Sequence, residues 1–247
     1  MLPSLAFLRE VVLMRERVRD FSVYPFTLPL LHGFESLELD PKVTIFVGEN
    51  GSGKSTLLEA IAVAMGMNAE GGGRNNRFET RGTHSELHDC LKLIRGMRRP
   101  RDTFFLRAEG HYSFSTYLEN LPGHDHEAYG GKPLHEMSHG ESFWALLRHR
   151  FGEDGLYLLD EPESALSPTR QLAALAQMNT LAACGSQFIL ATHSPILMAF
   201  PGATIYRFGD GPPERVDYEE TEHYRVFRDF FNRRETMLKE LLAEEEA

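Results

Sequence analysis

One short segment of this 247-residue chain, residues 48–56, combines glycines, a lysine and hydroxyl side chains at a spacing that suits phosphate binding. The segment fits the pattern G-x-x-x-x-G-K-[ST] in full. Its glycines allow consecutive backbone N–H groups to point at one phosphate, and a following helix would present its positive end to the same anion. Lys54 could then reach the β- and γ-phosphates, and the Ser55 hydroxyl could bind Mg²⁺. The candidate phosphate-binding residues are Gly48, Glu49, Asn50, Gly51, Ser52, Gly53, Lys54, Ser55 and Thr56.

Two acidic residues follow an apolar run further along the chain. Residues 156–159 are typical of a buried strand, and Asp160 and Glu161 come directly after them. Open α/β sheets place their ligands at the carboxyl ends of the strands. We therefore expect Asp160 to hold Mg²⁺, directly or through water, and Glu161 to activate an attacking water as a general base. The alternative is a pair of solvated acids in a loop.

A histidine ends the next apolar run. Residues 188–192 predict a strand, His193 follows it, and Ser194-Pro195 is well suited to begin a helix. A histidine at a strand end is often structural. Because His193 comes one strand after the two acids, we expect it to sense a γ-phosphate and to position the water.

The segment Ser138-His139-Gly140-Glu141-Ser142 has two interpretations. The simpler one is a capping box, in which Ser138 and Glu141 begin a helix. The functional one adds that Gly140 lets a phosphate approach this helix start closely, so that Ser138 and Gly140 form a second anion site. If the two phosphate-binding helix starts cannot meet within one molecule, a second molecule must supply the partner.

The elements that must position these residues can be predicted from hydrophobic patterning. Residues 21–47 alternate apolar and polar side chains between prolines, which predicts short antiparallel strands leading into a strand at 43–47. Apolar residues then recur at helical spacing from 57 to 65, and Gly66 can end that helix. The phosphate turn therefore lies between a strand and a helix, as its chemistry requires.

The second half of the chain alternates helices and strands. Glycine-bearing polar stretches at 70–84 and 122–133 are typical of surface loops, and they bracket a mixed or helical insertion. From residue 138 the patterning predicts helix, strand, helix and strand in turn, and the second helix would have its apolar face at Leu172, Leu175, Ala176 and Met178. Such alternation favours parallel strands flanked by helices.

We predict an α/β fold with a P-loop NTPase core, in which helices flank a largely parallel sheet. An antiparallel β part precedes this core, and a helical subdomain is inserted over about residues 70–150. The whole chain, 1–247, would form a single domain.

Composition narrows the range of functions. The formal net charge of −10 argues against a broad basic face for nucleic acid. A local arginine patch could still exist, formed by Arg95, Arg98, Arg99 and Arg101. Two cysteines cannot form a disulfide framework, so a reducing compartment is the default. The chain has no 18-residue apolar run, which predicts a cytoplasmic protein without direct membrane insertion.

The C-terminal stretch carries apolar residues on roughly one helical face, among them Phe227, Phe231 and Leu238. The simpler prediction is a helix packed on the domain. The alternative is a helix that binds a partner.

Together these motifs occur in the order found in the ABC ATPases. The phosphate turn, the segment 138–142, the acids 160–161 and His193 resemble that family's motifs, with 138–142 similar to its signature. Within the family the chain resembles the stand-alone, soluble ATPases related to SMC-like and recombination-repair ATPases. The resemblance covers most of residues 21–208. It implies a homodimer in which each of two ATP molecules lies between the phosphate turn of one chain and Ser138 and Gly140 of the other.

The resemblance implies further roles and two departures. Residues 164–167 would cross the dimer seam, with Ser167 where the family usually has an aspartate. The glutamine that the family usually carries in the middle segment is missing, and Glu109 could face the magnesium ion or the attacking water instead. Either Tyr24 or Phe26 could stack on the adenine.

Three functions follow from these observations. The first is Mg²⁺-dependent ATP hydrolysis coupled to opening and closing of a homodimer, in nucleic-acid maintenance or defence or with a protein partner. The second is the ATP-binding subunit of an ABC transporter, which the missing glutamine disfavours. The third is a P-loop kinase or a nucleotide-regulated binding module, which would leave the signature-like segment and His193 without a role.

Overall fold

The computed structural model describes residues 6–72, 85–107 and 137–243. These residues form two sheets with helices packed around them. The strands are β1 Leu8–Leu13, β2 Ser36–Glu38, β3 Val43–Gly48, β4 Leu91–Arg95, β5 Asp102–Arg107, β6 Gly155–Asp160, β7 Gln187–Ala191, β8 Thr204–Phe208 and β9 Glu214–Val216. The helices are α1 Lys54–Ala64, α2 His139–Ala145, α3 Pro168–Ala183, α4 Pro195–Met198 and α5 Glu222–Ala243.

The larger sheet has the strand order β5-β6-β7-β3-β8-β9. All of its neighbouring pairs are parallel except β8 with β9. Every residue of β6 and β7 is buried, as expected for parallel strands covered on both faces. The predicted α/β class with a largely parallel, helix-flanked sheet is therefore confirmed, and β3, β6 and β7 end at the same edge of the sheet.

The smaller sheet is antiparallel and has the order β2-β1-β4. It confirms the predicted antiparallel part but not its position in the chain. Of residues 21–47, only Ser36–Glu38 contributes to this sheet, while residues 21–35 form turns with a short 3₁₀ segment at Pro29–Leu31. Proline lacks the N–H that a strand ladder needs, which explains why the proline-containing stretch turns instead.

One buried glutamine joins the two sheets. Gln187, at the start of β7, accepts hydrogen bonds at Oε1 from the backbone N–H groups of Phe7 and Leu8, both at 3.0 Å. Its Nε2 donates to the carbonyl oxygens of Leu8 at 2.7 Å and Asp40 at 2.8 Å. Its side chain thus connects the segment at β1 with the turn that leads into β3.

The three predicted helices of the core are present as α1, α2 and α3. Helix α1 buries Leu57, Leu58 and Ile61, and Gly66, with φ of +83°, lies just beyond its end. Helix α3 is also present, but its predicted apolar face was partly wrong. Leu172 is 59% exposed, and the side chains that face the core are Ala174, Met178, Leu181 and Ala182.

The middle of the chain contributes strands to both sheets. Strand β4 pairs with β1, and β5 forms one edge of the larger sheet. The predicted helical insertion covers about residues 70–150, and its described residues contribute β4, β5 and α2. Residues 73–84 and 108–136, which include Glu109, lie outside the described residues. The bounds predicted for that subdomain remain a prediction.

Helix α5 differs from the simpler prediction, because none of its residues is buried. Phe231 is 72% exposed and Leu241 61% exposed. The apolar face therefore does not pack on the domain along its length. Among the described residues, no helix combines the length and the apolarity needed to cross a bilayer.

Candidate nucleotide-binding site

The phosphate turn connects β3 to α1 and depends on its glycines. A Cβ at Gly48 would lie 2.3 Å from the carbonyl oxygen of Phe208. Gly53 has φ of +92°, and a Cβ there would lie 2.0 Å from Cδ2 of Leu30. Such contacts and such a φ exclude ordinary side chains, so these positions require glycine. The predicted strand, turn and helix arrangement is what the structure shows.

Lys54 lies over this turn and is 3% exposed. Its Nζ donates hydrogen bonds to the carbonyl oxygens of Gly48 and Glu49, both at 2.8 Å. Burial lowers the pKa of Lys54, while the carboxylates of Glu161 and Asp160 act in the opposite direction. The ammonium group is therefore anchored on the turn, and the charges of the two acids favour its protonated form.

Ser55, in the first turn of α1, meets Asp160, at the end of β6, although β7 lies between β3 and β6 in the sheet. The Ser55 hydroxyl donates to Oδ1 of Asp160 at 2.7 Å, and Asp160 is 4% exposed. A hydroxyl and a carboxylate are the hard oxygen ligands that suit Mg²⁺, which otherwise keeps water and phosphate oxygens in its coordination sphere. These two residues could therefore hold that ion.

Glu161 directs its carboxylate into the same region through an unusual backbone conformation. Its φ of +49° and ψ of +50° lie in the left-handed region, which costs a residue other than glycine some strain. The side chain is 43% exposed, and its Oε1 lies 3.8 Å from Nε2 of His193. The turn after β6 thus brings both adjacent acids to one site.

His193 lies at the end of β7, facing Glu161. Its Nδ1 is 3.1 Å from Nε2 of His223, the second residue of α5. Its Nε2 is buried and has no hydrogen-bond partner among the described residues. Burial, followed by the charge of Lys54, lowers the pKa of His193 to about 4. The imidazole is therefore neutral near pH 7 and can donate from only one nitrogen.

Three further residues border the site without having been predicted from the sequence. Glu163 accepts hydrogen bonds from the His193 backbone N–H at 2.5 Å and from the Thr192 hydroxyl at 2.7 Å, and burial raises its pKa. Arg107, at the end of β5, lies 3.7 Å from Oδ2 of Asp160. His223 is the third. Glu163 could have been predicted as a site residue because it lies three positions after Asp160 in the sequence. No comparable sequence signal marks Arg107 or His223.

The signature-like segment begins α2 as a capping box. Ser138 donates from its N–H and hydroxyl to Oε2 of Glu141, at 2.9 and 2.7 Å, and its hydroxyl accepts from the Glu141 N–H at 3.4 Å. Ser138 is exposed. A Cβ at Gly140 would lie 2.5 Å from the carbonyl oxygen of Ala165, so this glycine packs closely on segment 164–167.

The two aromatic candidates for adenine stacking differ in exposure. Tyr24 is 63% exposed, and its hydroxyl lies 3.2 Å from Oγ1 of Thr56 at the end of the phosphate turn. Phe26 is 5% exposed and belongs to the core. The geometry favours Tyr24 for this role.

The candidate arginine patch is partly occupied by an internal ion pair. Arg98 pairs with Asp154 and lies over the ring of Phe7, 5.3 Å from its centroid. Nε of Arg101 lies 3.5 Å from the same aspartate. Two of the four arginines thus share one carboxylate, which reduces the positive charge available to nucleic acid.

Two family models match the part of the chain that carries this geometry. Residues 22–108 match the model described as "AAA domain", and residues 95–199 match the one described as "AAA domain, putative AbiEii toxin, Type IV TA system". The chain carries an AAA-type P-loop ATPase domain. This assignment points to ATP hydrolysis, and the ATPase domain includes the phosphate turn, both acids and His193.

One curated protein matches part of the chain at low sequence identity. The chain is similar to the petrobactin import ATP-binding protein FpuD of Bacillus anthracis, with 26% identity over 150 residues, which are 54% of this chain and 55% of the relative. The match thus spans about half the length of that curated relative.

Solved structures with a similar chain path include the SMC head domain from Thermotoga maritima and a bacterial Atm1-family ABC exporter with ATP bound. The first has 15% identity and a TM-score of 0.46, and the match covers 85% of this chain and 99% of that one. The second has 14% identity and a TM-score of 0.47, with 90% and 42% coverage.

Proposed function

We propose that this protein is a Mg²⁺-dependent ATPase in which two copies close head to tail on two ATP molecules. The observation that carries the proposal is the convergence of Lys54, Ser55, Asp160, Glu161 and His193 at one edge of the parallel sheet. The family assignment supports ATP as the nucleotide.

Each of these side chains has a role in this mechanism. Lys54 and the turn N–H groups bind the β- and γ-phosphates, and Ser55 and Asp160 hold Mg²⁺, which would neutralise phosphate charge. Glu161 accepts a proton from the attacking water. Neutral His193 donates a hydrogen bond from Nε2 to the terminal phosphate and helps to position that water.

The second half of each site would come from the partner copy. The exposure of Ser138 leaves the start of α2 open to a neighbouring molecule. Gly140 packs closely on segment 164–167 and so joins this helix start to the proposed dimer seam. The N–H and hydroxyl of Ser138 donate to the Glu141 carboxylate in this structure. A phosphate would have to replace that carboxylate as the acceptor. Charge-assisted hydrogen bonds of this kind contribute about 1.5–3 kcal/mol each, so ATP would act as the dimerising ligand.

A complementation assay tests whether the site is shared. Lys54→Met should abolish ATP hydrolysis by removing the phosphate contact, and Ser138→Arg should abolish it by blocking the second half-site from an exposed position. In a mixed dimer one composite site carries both changes and the other carries neither. An equimolar mixture should therefore recover about one quarter of the wild-type rate, because half of the dimers are mixed and each has one intact site. A mixture as inactive as its components would refute the shared site.

A second assay follows the oligomeric state directly. Glu161→Gln should bind ATP without hydrolysing it and should elute as a dimer from size-exclusion chromatography with ATP and Mg²⁺. Glu153→Gln, a matched change at an exposed position, should return to the monomer as ATP is consumed. A persistent Glu161→Gln monomer at saturating ATP would argue against the clamp.

We propose that the ATPase cycle of this protein serves nucleic-acid maintenance or defence. Stimulation of the ATPase rate by single-stranded DNA, double-stranded DNA or RNA would name the substrate class. Lack of stimulation by all three would direct attention to a protein partner.

The second candidate is the ATP-binding subunit of a membrane transporter. The similarity to the petrobactin import ATP-binding protein favours it. Co-purification of the tagged chain with one integral membrane protein would support this function over the first.

A further inference from the structure

His223 contacts His193 from a distant part of the chain. The two residues are 30 positions apart in sequence, and His223 belongs to α5, outside the parallel sheet. The ring centroids are 5.2 Å apart with an interplanar angle of 60°. A cleft of about 440 Å³ separates the start of α5 from the phosphate turn and is lined by Glu49, Asn50 and His223 among others.

The contact between two imidazoles requires a defined proton arrangement. A hydrogen bond between Nδ1 of His193 and Nε2 of His223 needs one donor and one acceptor. Burial lowers the pKa of both histidines, so both are neutral near pH 7 and each carries one N–H. The question is which of the two nitrogens donates.

The surroundings of the other His193 nitrogen decide the direction. Nε2 of His193 is buried, and Oε1 of Glu161 lies 3.8 Å from it. An ionised carboxylate can only accept a hydrogen bond. The oxygens of a terminal phosphate on the turn would also be acceptors. A proton on Nε2 lets this nitrogen donate to either acceptor. An unprotonated Nε2 would instead direct its lone pair at negatively charged oxygens. Nδ1 must then accept, and His223 must donate.

We propose that His223 is a positioning residue that donates from Nε2 to Nδ1 of His193 and so holds His193 with its Nε2–H directed at the terminal phosphate of ATP. This rests on the proposed function for the phosphate contact itself. His223 also makes the start of α5 part of the nucleotide site. ATP bound with its terminal phosphate on His193 would therefore stabilise the first turn of α5 in its docked position.

The first test separates positioning from general structural support. His223→Ala removes the donor, His223→Gln keeps an N–H donor at a similar reach, and His149→Ala is a control at an exposed histidine. Partners that orient a functional imidazole through its second nitrogen change affinity or activity by about 10–100-fold in metal sites, and we expect a loss of kcat of about tenfold here. ADP affinity should not change, His223→Gln should recover most of the rate, and the control should match wild type.

A double-mutant cycle shows whether His223 acts through His193. In a His193→Ala background, His223→Ala should cause no further loss of rate. Equal losses in both backgrounds would overturn the proposal, as would a wild-type rate for His223→Ala or a rate for His223→Gln no higher than that of the alanine variant.

The second test does not require hydrolysis. In ¹⁵N-histidine NMR, His193 of the full chain should carry its proton on Nε2, and His223→Ala should give a mixture of tautomers. A proton on Nδ1 in the wild type would overturn the proposal whatever the activity. If the wild type shows the Nε2–H tautomer but hydrolyses no ATP, the proposed function fails while the positioning contact stands.

Discussion

The replacement of Gln187 by methionine tests the connection between the two sheets. Methionine has a similar length and volume but cannot form the four hydrogen bonds that the buried amide makes with Phe7, Leu8 and Asp40. Gln187 is 0% exposed, so water has little access to the backbone groups that would lose their partner. The change should therefore destabilise the fold rather than alter the surface.

The size of the effect follows from these contacts. A typical buried hydrogen bond contributes about 1 kcal/mol net, so four of them predict a loss of about 4 kcal/mol in the free energy of unfolding. For a chain of this size that loss corresponds to a fall of about 8–16 °C in Tm. Because Asp40 leads into β3, we also expect the phosphate turn to bind nucleotide more weakly near the new midpoint.

Equilibrium unfolding in urea, followed by tryptophan fluorescence and circular dichroism, measures this loss. Gln177→Met, a matched change at a partly exposed position of α3, should change the free energy of unfolding by less than about 0.5 kcal/mol. A loss below about 1 kcal/mol for Gln187→Met would show that the amide does not connect the sheets as described.

Three further changes probe the site. Gly53→Ala should abolish nucleotide binding, measured by calorimetry, because φ is +92° and the new Cβ would lie 2.0 Å from Cδ2 of Leu30. The control Gly66→Ala has a similar backbone strain, with φ of +83°, but no such clash, and it should still bind nucleotide. If the Tyr24 ring stacks on adenine, Tyr24→Ala should raise the KM for ATP about tenfold, since base stacking on an aromatic side chain contributes roughly 1–3 kcal/mol. Tyr24→Phe keeps the ring and should leave the KM unchanged. Equal KM values for the wild type and both variants would exclude stacking. Folding lowers the pKa of His193 from 6.5 to about 4, so the unfolded chain binds a proton at this histidine first as the pH falls. The folded state therefore loses stability progressively between pH 6.5 and pH 4. His193→Gln should remove this component, about 2 kcal/mol between pH 7 and pH 5, from urea unfolding curves, and an unchanged pH dependence would contradict the assignment.

Much of the site could be predicted because its motifs are local. The spacing of Gly48, Gly53 and Lys54 defines the phosphate turn, and an apolar run that ends in Asp160 and Glu161 places acids at a strand end whatever the strand order. Hydrophobic periodicity likewise identified α1, β6 and β7. In each case the residues that carry the signal are neighbours in sequence, so their mutual geometry follows from backbone conformation alone.

Predictions that depended on what packs against an element were less accurate. Helicity was confirmed for α3 and α5, but Leu172 and Phe231 are exposed, because periodicity shows which residues share a face and not whether anything covers it. The antiparallel sheet includes β1, which precedes the stretch that patterning had favoured.

The sequence by itself therefore determined which chemical groups are available to this protein: a phosphate turn, a hydroxyl and two acids that could hold Mg²⁺, and a histidine at the next strand end. Only the tertiary structure decided how these groups are held. The pairing of Arg107 with Asp160, the support of His193 by Glu163 and the approach of His223 from α5 join residues from separate segments. Strand order and helix docking bring such residues together, and no local pattern in the chain encodes either one.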